Sequence, residues 1–321
     1  MVTDFGATAA GDRVARVVLR SGGLEVALLT LGAVLQSLRL AGIDRDLTLG
    51  SPRLADYEAD MIYHGAIVGP VANRISGAAA VIGGQVHQFE ANEGPNTLHS
   101  GPSGAHARVW DIADRGSDFA LLRLALPHGA GGFPGNRALA ARFSVTGTVL
   151  RLELSAETDA PTLMNLANHS YWNLDGTPDF SGHRLRIAAE GHVAVGPDLL
   201  PTGEVAAVAG TDLDFRHERV MTPGAPPLDT CFCLSPGREG LREVLWLQGA
   251  SGVRMALATT EPGVQVYDAR DARRPGAGPH EGLAIEAQFW PDAVRHTRFP
   301  PILLRPGEPW VQVTEWRFAA G

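Results

Sequence analysis

Short apolar runs, many alternating with polar residues, recur along the whole chain: Val14–Leu19, Leu24–Leu31, Val34–Leu40, Phe119–Leu126, Leu150–Leu154, Leu185–Ala188, Val253–Ala258 and Val311–Phe318. Val, Leu and Ile dominate them, and Gly, Pro, Asp or Asn separate them. Side chains of a strand point alternately to its two faces, so this pattern predicts many strands joined by tight turns. Within Ala80–Phe89, the pair Gly83-Gly84 predicts a two-residue hairpin, since such turns need positive φ angles. Helix signals are few. The best is Ser51-Pro52-Arg53-Leu54, read as a Ser N-cap with Pro at the first helical position. Two stretches read as long irregular loops: Asn92 to Ala107, and an Arg-, Pro- and Gly-rich rim from Arg270 to Gly282. The expected fold is all-β, a large β-sandwich with few short helices, formed as a single domain over residues 1–321.

Composition removes several chemistries. All 27 basic residues are arginine, so Schiff-base chemistry, lysine-anchored pyridoxal phosphate and the P-loop lysine are excluded. The formal net charge is −8 with no basic run, which speaks against a nucleic-acid partner. Met1 to Arg20 lacks the layout of a secretory signal, and no window approaches the roughly 18 apolar residues of a membrane span. Cys231 and Cys233, the only cysteines, fall on one face of a strand, too far apart for a disulfide. Two cysteines without a second pair also make a zinc knuckle improbable. Reduced thiols and a cytoplasmic location are expected.

Polar residues that a core does not explain gather in five segments. Asn73 and Arg74 follow the apolar run Ala66-Ile67-Val68. His99 lies in the glycine-flanked loop Glu93–Gly101, where a ligand can approach closely. Asn165 to Leu174 sets His169 among amides, a hydroxyl and two aromatic rings, material suited to holding a polar ring-shaped ligand. Asp229 enters an apolar strand, either as a turn cap or as a ligand-facing acceptor. Glu286 interrupts the strand-like Leu283–Phe289, where a carboxylate costs several kcal/mol unless paired or protonated. Glu286 is therefore the best candidate for a tuned pKa, although Gln288 on the same face also allows an outward-facing pair. Metal-binding motifs such as HExxH and HxH are absent, and so are a dinucleotide fingerprint and a GxSxG elbow.

Together these segments resemble one family, the aldose 1-epimerases or galactose mutarotases. The resemblance runs nearly the full length. Its motifs here are Gly69 with Ala72 to Ile75, Asn96 to Gly101, Asn168 to Leu174 and Leu200 to Glu204. They continue with Gly210-Thr211 and Asp214-Phe215, then Asp229 to Phe232, Glu261 to Tyr267, and Glu286 to Ala293. The resemblance implies a galactose mutarotase-type sandwich with no metal and no organic cofactor. It implies Glu286 as general base and His169 as general acid. It places His99 beside them, Arg74 and Asp229 on sugar hydroxyls, and Asn73 and Gln265 as further contacts. Two departures, Pro70 and Thr230, are expected to bear on sugar preference.

The reaction implied is exchange of the α and β anomers of free aldoses such as galactose or glucose. A base removes the C1 hydroxyl proton while an acid protonates the ring oxygen. The open aldehyde turns about C1–C2 and recloses with the roles reversed. Glu286 is expected ionised and His169 protonated at the start. Acid–base catalysis of roughly 10²–10⁴-fold, with orientation, suffices for so mild a reaction. The alternatives are a glycosidase, which needs two carboxylates at set spacing, a sugar-phosphate mutarotase using Arg270, Arg273 and Arg274, and a non-catalytic sugar-binding module. The expected partner is a monosaccharide, with the chain a monomer or weak homo-oligomer.

Overall fold

Throughout Arg137–Thr146, and from Val149 to Glu157 of Val149–Thr158, buried and accessible residues alternate. Such alternation arises where one face of a sheet meets a core and the other meets water. The computed structural model, which describes residues 1–321, places both strands in a nine-stranded antiparallel sheet. Its order is Asp111–Arg115, Phe119–Leu126, Arg137–Thr146, Val149–Thr158, Trp310–Ala319, Arg254–Thr259, Arg242–Gln248, Arg184–Ile187 and Arg219–Val220. A second antiparallel sheet has six strands, in the order Tyr171–Trp172, Leu283–Gln288, Gly263–Tyr267, Asp229–Cys233, Gly191–Val195 and Pro201–Ala207. Val2–Ala7, Arg13–Ser21, Leu24–Leu29 and Leu35–Leu40 form a further four-stranded sheet.

The two large sheets share one apolar layer. Leu152, Leu154, Leu257 and Trp316 come from the first, and Phe232, Val264, Val266 and Ile285 from the second. Each fully buried Leu, Ile or Phe here contributes roughly 1.5–3 kcal/mol. Trp172 closes the layer, its ring 5.9 Å from Trp316 and 5.6 Å from Phe318. The fold is thus the expected β-sandwich. Leu283–Gln288 shows no alternation because all six residues are buried: one face lies in the core, and the other faces a second set of side chains.

The hairpin forms as expected: Ala79–Ile82 pairs with Gln85–Gln88 around Gly83 and Gly84, at φ 60° and 81°. The helix differs from expectation. It spans only Leu54–Tyr57, and its N-cap is Arg53 without a side-chain cap. Ser51 instead accepts the Arg53 N–H at 3.1 Å and bonds the Asp56 carboxylate, so it shapes the turn before the helix. Between residues 92 and 107 the chain carries only the short strand Thr97–Leu98 and one 3₁₀ turn, Ala105–Ala107. Both cysteines are free thiols, and no helix is long and apolar enough to cross a membrane.

Candidate active site

Strand register assembles the floor of the site. Glu286 lies opposite Gln265, and Gln265 opposite Cys231. One step of two along, Ala284 lies opposite Tyr267, and Tyr267 opposite Asp229, while Tyr171 pairs with Ala284. Residues in register share a face. Tyr171, Tyr267, Asp229, Gln265 and Glu286 therefore stand on the face opposite the one that buries Phe232, Val264, Val266 and Ile285.

Two short ladders bring in the other side. Ala167–Asn168 pairs with Ile67–Val68. His169 then donates its N–H to the Ala66 carbonyl and accepts from the Gly65 N–H, each at 2.9 Å. Gly65 is required there: at φ 73°, an added Cβ would lie 2.3 Å from the Leu35 carbonyl oxygen. Farther along, Arg74–Ile75 pairs with Thr97–Leu98, which sets His99 beside Asn73. The His99 N–H donates to the Asn73 carbonyl at 3.0 Å, and the Asn73 N–H donates to His99 Nδ1 at 3.1 Å.

These elements enclose a cavity of about 490 Å³, a size suited to a small ligand. Six of the seven expected residues line it: Asn73, Arg74, His99, His169, Asp229 and Glu286. Gln265 does not. It borders a narrow crevice behind, and its Nε2 donates to Asp229 Oδ1 at 2.5 Å, so it braces Asp229. Arg74 grips both Glu93 oxygens at 2.7 and 2.9 Å and reaches Asp229 Oδ2 at 3.4 Å. Asp229 thus faces the cavity, held from two sides, and does not cap a turn.

His169 Nε2 and Glu286 Oε1 are 3.4 Å apart, with both side chains nearly sealed. Glu286 is buried rather than outward-facing, as is Gln288. Burial lowers the His169 pKa to about 4. Burial, with the Asp229 charge second, raises that of Glu286 well above the ordinary carboxyl value. Desolvation thus favours the neutral forms. Burial alone would place the pair's one proton on Glu286, whereas attraction between the two charges favours the expected ionised Glu286 beside protonated His169. Both arrangements hold one proton on the pair, and they differ only in its position.

His99, His169 and Glu286 also place their ligand atoms within 4.8 Å of one another. The donor set suits a metal poorly. Because His99 Nδ1 accepts the Asn73 N–H, the proton of the neutral ring lies on Nε2. Neither nitrogen then offers a free lone pair, and Nε2–H is a hydrogen-bond donor.

Several lining residues carried no sequence signal. Tyr63 packs its ring 4.7 Å from His99 and 5.9 Å from His169. Glu93 was visible only as one residue of the His99 loop, although a buried arginine such as Arg74 demands a carboxylate partner. His64, Asp60 and Asp271 also line the wall, beside Tyr267, the end of the Glu261–Tyr267 motif. The two departures fall outside it. Thr230 alternates to the opposite face from Asp229, and Pro70 bonds Asn165 N–H through its carbonyl at 2.7 Å. Neither lines the cavity, so the expected influence on sugar preference has no direct contact to act through.

The chain is similar to known proteins over nearly its whole length. Residues 15–317 match the family model described as aldose 1-epimerase. The chain is 33% identical to galactose mutarotase of Rattus norvegicus, over 96% of this chain and 95% of the relative. It is 29% identical to aldose 1-epimerase of Escherichia coli K12, over 94% and 93%. Among solved structures, an aldose epimerase homologue from C. elegans superposes with a TM-score of 0.88 at 27% identity, covering 96% of this chain and 99% of that one. Galactose 1-epimerase of Lactobacillus acidophilus gives 0.87 at 26% identity, covering 100% and 98%.

Proposed function

The chain belongs to the aldose 1-epimerase family, and we propose that it exchanges the anomers of galactose and glucose through the His169–Glu286 pair. The observation that carries this reading is the 3.4 Å approach of these two buried groups at the floor of the cavity, beside Arg74 and Asp229. Glu286 takes the C1 hydroxyl proton while His169 delivers one to the ring oxygen. The C1–O5 bond breaks and C1 becomes an aldehyde. After rotation about C1–C2, His169 takes back the C5 hydroxyl proton and Glu286 returns its own to the oxygen on C1. The pair ends as it began. The cycle starts with the pair's one proton on His169 and Glu286 ionised, and opening and reclosing each conserve that proton.

Around the pair, Asp229 and Arg74 fix the hydroxyls and His99 donates from Nε2. Asn73 acts mainly through its N–H, which orders His99, and Gln265 acts through Asp229. No metal or organic cofactor enters this chemistry.

The lining charges favour a neutral sugar. Asp60, Glu93, Asp229 and Asp271 face the cavity against the single cation Arg74. The arginines considered for a phosphate are engaged elsewhere: Arg270 by Asp268, Arg274 by Glu281, and Arg273 by the carbonyls of Arg270 and Ala272. A glycosidase is likewise disfavoured, since Asp229, bound by Arg74 and Gln265, is poorly placed as a second acid.

We read the chain as one domain over residues 1–321, acting in the cytoplasm as a monomer or weak homo-oligomer without nucleic acid. Polarimetry of freshly dissolved α-D-galactose and α-D-glucose tests the activity. Acceleration that Glu286→Gln abolishes is the expected result; no acceleration of either sugar would refute it.

A further inference from the structure

His64 belongs to none of the segments that the sequence marks. Its side chain lines the same cavity although the residue is only 4% exposed. The imidazole stacks on Tyr171, with centroids 4.2 Å apart and planes at 21°. Tyr171 in turn lies 5.1 Å from the His169 ring. His64 therefore stands one aromatic ring away from the reacting pair.

A neutral imidazole has one donor and one acceptor. Neither ring nitrogen of His64 bonds to the protein, and neither is sealed from the cavity, unlike Nδ1 of His169 or of His106. Both nitrogens must therefore take their partners from the cavity, as water or as a ligand. Its surroundings offer no internal reason for a polar ring there: Tyr171 needs only a flat face, which a phenyl ring would supply as well. Burial first, then the neighbouring His169 and Arg274 charges, lowers its pKa to about 3. The ring thus stays neutral and presents both a donor and an acceptor, the complement of a sugar hydroxyl. It does not compete for the catalytic proton.

We infer that His64 is a substrate-contacting residue that hydrogen-bonds a hydroxyl of the bound sugar and helps set which aldoses are accepted. The inference rests on the aldose 1-epimerase reading of this cavity and adds a specificity contact to it.

His64→Phe keeps the ring, the volume and the stack on Tyr171 but removes both nitrogens. Its KM for galactose should rise on the order of 10-fold, with kcat changed by no more than about twofold. His64→Gln should recover part of the loss. Among the 2-deoxy, 4-deoxy and 6-deoxy forms of galactose, one should lose nothing further on His64→Phe, and that sugar identifies the hydroxyl contacted. Equal kcat/KM for wild type and His64→Phe with galactose and all three deoxy sugars would overturn the inference.

A second measurement is independent of turnover and of the variant's folding. In the ¹⁵N-labelled wild-type chain, galactose titration should move the His64 ring resonances in a saturable way. Unmoved His64 resonances while others in the cavity shift would refute the contact. If the wild type binds galactose without accelerating anomer exchange, the catalytic reading fails, and the His64 resonances still decide this inference.

Discussion

Replacing Glu286 with Gln separates catalysis from stability, because the two depend on opposite properties of the same buried carboxyl. Glu286 is 2% exposed, its Oε2 has no partner, and burial raises its pKa well above the ordinary carboxyl value. An unfolded chain ionises glutamate near 4.3. Between that value and the raised folded one, the native state holds a proton that the unfolded state has released. Wild-type stability from this group is therefore full below about pH 4.3 and falls as pH rises toward the folded pKa, by at most about 1.4 kcal/mol per pH unit. Gln, neutral and of the same shape, removes that slope. For 321 residues, an unfolding entropy of about 2.1 cal/mol/K per residue converts this to about 2 °C in Tm per pH unit. Glu286→Gln should then match the wild type near pH 4 and melt progressively higher than it as pH rises. Its kcat should fall roughly 10²–10⁴-fold, because the amide neither takes nor returns the C1 proton. The paired assays are thermal unfolding from pH 4 to 8 and polarimetry on α-D-galactose. A constant Tm difference across that range would refute the desolvated carboxyl, and a kcat within tenfold of wild type would refute the acid–base role.

Protonation of His169 should define the acid limb of the rate profile. Its pKa is lowered to about 4, so kcat should hold down to about pH 5 and fall below it as a second proton joins the pair, whereas His169→Asn should be slow at every pH. An acid limb near the ordinary histidine value of about 6.5 would contradict the buried neutral ring. Asp229→Ala should raise KM for galactose at least tenfold, and Gln265→Leu by a smaller factor, since Gln265 acts through Asp229; a larger effect at Gln265 would reverse that order. Galacturonate and galactose 6-phosphate should turn over more slowly than galactose, with the gap narrowing as salt screens the lining carboxylates, and a preference for either anion would contradict that charge pattern. Dialysis against a chelator should leave turnover unchanged because the His99 nitrogens are committed to the Asn73 N–H and to a ring proton; a loss restored by added zinc would show that the tautomer is wrong.

Sequence reading recovered the strands where a sheet is one-sided, because there the solvent enforces a period of two. Phe119–Leu126 and Val149–Thr158, the latter expected at Leu150–Leu154, are of this kind. The period fails in Leu283–Gln288, buried on both faces, so the direction in which Glu286 pointed stayed open until its neighbours were known. Glu286 and His169 were legible because each is chemically out of place in its local run. Glu93, Tyr63 and His64 were not, since an acidic loop residue or a ring beside an apolar run is ordinary until the fold brings Arg74, His99 and Tyr171 against it. The same holds for the protonation of the pair. Mutual attraction was visible from residue types, whereas desolvation depends on how completely the sandwich closes over them.

That closure also explains how so simple a pair can work. An exposed carboxylate and imidazole would each keep its own hydration and protonation near neutral pH, and neither would be tuned to a sugar oxygen. Here the packed face of the six-stranded sheet provides a rigid floor from which Glu286, Tyr267 and Asp229 rise in register. The ladder through Ala66 and Gly65 fixes His169 above it. In the proposed mechanism both groups are desolvated before the sugar arrives, so little solvent would have to reorganise as protons pass to and from the sugar oxygens. The cost of burying them is offset by the layer of Trp172, Val266 and Ile285 behind the same strands, so the alternation that builds the sandwich also places the chemistry on its other face.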